Sequence, residues 1–109
     1  MNELLDNINE FLESGEDNLK KERFNAAISD FFKAIVVACD YMIYRDMKIL
    51  PKNHSERFSL LNKYFKEIYG EVSSLFIIYT NSYNFKIKKE DALKAKNYAY
   101  KLESFINKK

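Results

Sequence analysis

The sequence is poor in the residues that make turns. Its 109 residues include two Gly and one Pro, where average usage supplies about thirteen in a chain of this length. A sheet-rich fold needs many tight turns, and Gly15, Pro51 and Gly70 cannot make them. Long apolar runs are missing as well. The longest, Ala34 to Cys39, has six residues, against about twenty for a membrane-spanning helix. Residues 1 to 17 contain no Lys or Arg, so a secretory leader with its basic start is not expected. The one cysteine, Cys39, has no partner for an intrachain disulfide, and one histidine, His54, excludes a His-rich metal site. These absences point to a cytoplasmic chain that makes no use of a membrane, a metal or another cofactor.

What is present is a globular composition: 47% hydrophobic, 31% charged and 16% aromatic, with nine Phe and eight Tyr but no Trp. A chain of 13.0 kDa buries about two-thirds of the area its unfolded form exposes, enough for a single core without covalent staples. Residues 1–109 are therefore read as one domain. The net charge of +2 is unevenly spread: residues 1 to 17 carry six acids, whereas residues 86 to 109 carry eight Lys against three acids. Either the two ends lie side by side and neutralise each other, or the basic end forms a stripe for phosphate contacts.

Apolar spacing of three and four residues defines the elements. Leu4, Leu5, Ile8, Phe11, Leu12, Gly15 and Leu19 place a first helix over residues 3 to about 21, which Asn2 can cap. Gly15 lies on that stripe, where it allows a neighbour to come close. Phe24, Ala27, Ile28, Phe31, Ala34, Ile35, Ala38, Met42 and Ile43 predict a second helix over 23–47. Its extra apolar positions, Phe32, Val36, Val37 and Cys39, make it central. Phe24, Phe31 and Phe32 belong to the core, and Cys39 reads as a small buried hydrophobe. Pro51 ends the helix and sets a loop over 48–54. Ser55 is the expected cap of a third helix bearing Phe58, Leu61, Tyr64 or Phe65, and Ile68, and Gly70 is its expected end or bend. A fourth helix is placed over 71–81; Ile77 and Ile78 are β-branched, but no partner strand exists. A final helix spans 89–106, with Ala92, Ala95, Tyr98 together with Ala99, Leu102 and Phe105 inward. The expected fold is all-α: an antiparallel up-and-down four-helix bundle with an additional short or kinked helix.

No phosphate loop, dinucleotide fingerprint, nucleophile elbow or zinc-protease string occurs. Polar chemistry gathers near Pro51. His54 stands at a helix start, where it can fix the loop, act as a general acid or base, or donate to a phosphate, with Lys52 and Arg57 supplying charge. Tyr44 and Arg45 end helix two near the same loop, and a Tyr/Arg/His cluster of this kind can bind a nucleotide or single-stranded RNA. The candidate catalytic residues are His54, Arg45 and Arg57; the candidate phosphate or ligand contacts are Lys52, His54, Arg57 and Tyr44. A two-helix TPR-like adaptor is disfavoured because its repeat of about 34 residues occurs once only.

Phe24 to Ala34 with the following Ala38, the loop Pro51-Lys52-Asn53-His54-Ser55, and the acidic helix start Lys89-Glu90-Asp91-Ala92 resemble, in kind and order, the HEPN superfamily of small prokaryotic helical bundles. The resemblance implies either a ribonuclease, often a toxin, or a non-catalytic partner, commonly of a small nucleotidyltransferase, as in toxin–antitoxin pairs. Ribonuclease members carry an Arg, four to six residues and a His, donated at a dimer interface. Here Met47, Lys48 and Ile49 occupy the corresponding positions, and Arg45 lies nine residues before His54 with Pro51 between them. Lys48 does not supply the planar fork of an Arg. The expectation is a homodimeric, non-catalytic binding module, with Tyr41, Tyr44, Tyr79 and Tyr83 as interface aromatics. The alternative is a metal-independent endoribonuclease using His54.

Overall fold

The computed structural model describes residues 2–108, which form five helices and no strand. They are α1 (Asn2–Lys20), α2 (Phe24–Met47), α3 (His54–Tyr64), α4 (Lys66–Asn81) and α5 (Lys89–Lys108). None is long and apolar enough to cross a membrane.

α2 is the axis of the bundle and packs against the other four helices. Its buried residues, among them Ile28, Phe31, Ile35, Cys39 and Met42, run around most of its circumference, as the excess of apolar positions requires. α1 lies antiparallel to it: Ser14 reaches Asp30, and Lys33 reaches Phe11. α4 is antiparallel to α2 as well, since Asn25 meets Ser82 and Phe32 meets Phe76 and Tyr79. α5 returns alongside α2 on a seam of small residues, with Ala92, Ala95, Ala99, Leu102 and Ile106 buried. The four long helices thus alternate in direction, and α3 is the short addition, laid beside α2 by the return loop at Pro51.

The scarce glycines do not end helices. α1 stops in a Schellman turn, in which Arg23 N donates to Asn18 O and Glu22 N to Leu19 O, at 2.9 and 3.0 Å. The left-handed position usual for Gly is taken by Glu22, with φ 58°. α2 also ends on a left-handed residue that is not Gly, Lys48, with φ 61°, but in the simpler form with one bond, from its N–H to Tyr44 O at 2.8 Å. Gly15 meets the expectation of close packing: a Cβ there would lie 2.6 Å from the ring of Phe31, which is fully buried. Gly70 sits inside α4 with nothing within 4 Å of where its Cβ would be.

Three local expectations are corrected. The cap of α3 is Asn53, not Ser55: Asn53 Oδ1 accepts from Glu56 N at 2.9 Å, while Glu56 Oε1 takes Lys52 N at 2.7 Å. This reciprocal pairing satisfies more of the helix start than a Ser two residues later would. The break between α3 and α4 falls at Phe65 rather than Gly70. Adjacent aromatics point about 100° apart on one helix; the break turns Phe65 onto the core and leaves Tyr64 50% exposed. On α5, Phe105 is 55% exposed and Ile106 is buried, because the Ala92-to-Ile106 seam lies one residue away from Phe105.

The acidic and basic ends do meet. Glu16 on α1 accepts from Tyr100 at 2.9 Å and pairs with Lys96 at 3.3 Å on α5. The loop before α5 is tied down by Asn25 of α2. Its amide nitrogen donates to Ser82 O and Phe85 O at 2.8 and 2.7 Å, and its oxygen accepts from Ile87 N at 2.9 Å.

Candidate functional site

The polar centre of the molecule is built between α2 and α3. Asp40 lies among Ala38, Cys39 and Met42 on the buried side of α2, and Arg57 faces it from α3. Both residues are buried. Arg57 Nε donates to Asp40 Oδ1 at 2.6 Å, and Nη2 donates to Oδ2 at 2.9 Å. This two-pronged geometry answers both charges in a setting where either alone would be costly. The third edge of the guanidinium turns to His54, whose Nδ1 lies 2.9 Å from Nη1.

That contact sets the state of the imidazole. A guanidinium is always a donor, so Nδ1 accepts, and in the neutral ring the proton belongs on Nε2. Burial and then the Arg57 charge push the His54 pKa below its ordinary value, with Asp40 opposing them. The ring is framed by aromatics: Phe58 at 6.1 Å and Phe76 at 5.3 Å between centroids, with Phe58 and Phe76 edge-to-face at 5.2 Å. Cys39 beside the pair has its thiol pushed up to about 12, by burial first and then by the Asp40 charge. It is no nucleophile near neutral pH.

His54 and Arg57 open onto a cavity of about 310 Å³. Phe11, Phe32, Val36 and Tyr79 form its walls, and Lys33 joins the two nitrogen-bearing side chains on its lining. Lys33 Nζ lies 5.9 Å above the Phe11 ring. Tyr79 is stacked on Phe32 at 4.9 Å and shares a hydrogen bond of 2.9 Å with the hydroxyl of Tyr83.

The other sequence-chosen residues lie elsewhere. Arg45 is paired with Asp46 at 3.1 Å and lines a second cavity of about 720 Å³, with Phe65, Tyr98 and Phe105. Arg45 and His54 therefore do not share a pocket. Tyr44 is half-buried and carries Lys48 Nζ 5.8 Å above its ring. Lys52 is exposed and contributes its backbone N–H to the α3 cap. Among the expected interface tyrosines, Tyr41 and Tyr79 pack against the core, and Tyr83 is 72% exposed. Asp40 and Lys33 were missed by sequence reasoning. The available signal for Asp40 was an acid at a core position in a run, Ala34 to Ile43, otherwise made of Ile, Val, Ala, Cys, Tyr and Met.

No family model matches this chain, and neither a curated protein nor a solved structure matches it.

Proposed function

We propose that the chain is a non-catalytic HEPN-like binding module, assembled as a homodimer and acting with a protein partner of the nucleotidyltransferase or toxin–antitoxin type. The observation that carries this reading is the commitment of Arg57. Its guanidinium is held by Asp40 and occupies the Nδ1 lone pair of His54. A general base needs a free lone pair directed at the proton it removes. In this arrangement, His54 offers an Nε2–H donor instead, which suits recognition of a bound acceptor. Arg45, the other candidate cation, belongs to a separate cavity and is already paired with Asp46. Exposed Ile77, Tyr83 and Phe85 provide apolar area for protein contacts.

The test is incubation of the purified protein and a His54→Ala variant with a mixed RNA pool, alongside light scattering. The expected result is intact RNA with both proteins and the mass of a dimer. Cleavage by the parent that disappears in the variant would replace this reading with the endoribonuclease one.

A further inference from the structure

The lining of the cavity beside His54 combines nitrogen donors with apolar carbon and includes no carboxylate. Arg57 is answered by Asp40 behind it, so its charge is already matched. Lys33 forms no ion pair with a described residue. His54 adds a neutral N–H, because Arg57 occupies its other nitrogen. One unmatched positive charge and one neutral donor therefore face a pocket walled mainly by Phe11, Phe32, Val36 and Tyr79. Its volume of about 310 Å³ is at the small end of ligand sites.

We propose that this cavity binds a carboxylate carried on a short apolar group, with Lys33 and His54 donating to the carboxylate and the aromatic and valine walls covering the apolar part. The assignment rests on the binding-module reading and names what that module recognises. A monoanion matches the single free charge of Lys33. A phosphate monoester, with a second pKa of about 6, brings a second negative charge that the lining does not answer. An amine meets Lys33 as a like charge. The carboxylate can belong to a free organic acid or to the C-terminal residue of a partner chain, since both present the same group.

The experiment is titration of isotope-labelled protein followed by amide chemical shifts. The probes are 3-phenylpropionate, its neutral amide, 3-phenylpropylamine, inorganic phosphate, and an N-acetylated tetrapeptide ending in Phe with a free or an amidated C-terminus. Saturable shifts at residues 33–37, 54–58 and 79 with 3-phenylpropionate or the free-carboxylate peptide are expected, and none with the amide, amine, phosphate or amidated peptide. Lys33→Met is expected to weaken binding at least tenfold and Lys33→Arg to restore it, each variant retaining the dispersed spectrum of a folded chain. Response to the acid alone assigns a free metabolite as the source, and response to the peptide alone assigns a partner's C-terminus. Absence of saturable shifts with both carboxylates at about 10 mM, where even millimolar affinity registers, overturns the proposal. Equal binding of the neutral amide, or undiminished binding by Lys33→Met, overturns it too. A protein that binds no carboxylate and cleaves no RNA refutes this proposal and leaves the binding-module reading standing.

Discussion

Arg57 meets Asp40 through two parallel hydrogen bonds of 2.6 and 2.9 Å, from the first turn of the short helix α3 to the C-terminal half of the central helix α2. The pair fastens α3 at one rotational setting, and the remaining guanidinium edge reaches His54. Removing one partner strands a buried charge. Asp40→Leu or Arg57→Leu is expected to lower stability by about 3–5 kcal/mol in urea unfolding, and the double variant by clearly less than the sum. Full additivity of the two single losses would show that the groups act independently.

The same contact predicts a pH dependence. The folded state holds the His54 pKa below 6.5, so between its folded and unfolded pKa values the unfolded chain binds more protons. The His54 contribution is therefore fully present above pH 6.5 and declines as the pH falls through that value toward the lower folded pKa. His54→Gln should flatten the fall in stability between pH 6.5 and 5.5, measured as the urea midpoint. An equal slope in parent and variant would assign that fall to other groups.

The two glycines make opposite predictions. Gly15→Ala drives a methyl into the buried Phe31 ring, which approaches within 2.6 Å of the new Cβ. It should cost about 1–3 kcal/mol by overpacking. Gly70→Ala meets nothing within 4 Å inside α4 and should add about 0.5–1 kcal/mol through helix propensity. Thermal unfolding of both variants checks the signs.

Glu22 and Lys48 both adopt positive φ without being glycine. The left-handed region costs a side-chain-bearing residue roughly 1–2 kcal/mol, and Gly pays for its freedom in the unfolded chain. Lys48→Gly, in a solvent-exposed helix stop, should still raise stability by about 0.5 kcal/mol or more, read as a higher urea midpoint at unchanged slope.

Asn25 holds three backbone groups of the α4–α5 loop. At about 1 kcal/mol net per hydrogen bond, Asn25→Ala should lose about 2–3 kcal/mol. Amide exchange should speed up at Ile87, whose N–H donates to the Asn25 side chain. Unchanged protection there would show that the loop holds its shape without this side chain.

The amino-acid order alone determined the helical class, the central position of α2, the stop at Pro51, the close contact at Gly15 and the burial of Cys39. Each depends on apolar periodicity or on the backbone chemistry of a single residue, information that lies within a few positions of chain. Tertiary structure decided the rest. Asp40 and Arg57 are 17 residues apart, and Asn25 is about 60 from the loop it holds. Such pairings depend on how far each helix is rotated about its axis and how it is shifted along its neighbour. The separation of Arg45 from His54 has the same origin: both flank the loop at Pro51, yet residues 48–53 run back along α2 and set His54, the first residue of α3, at the level of Val36 and Phe32. Arg45 stays at the far end of α2, beside the start of α4 and the end of α5. Sequence nearness brought polar residues to one loop, and helix packing divided them between two cavities.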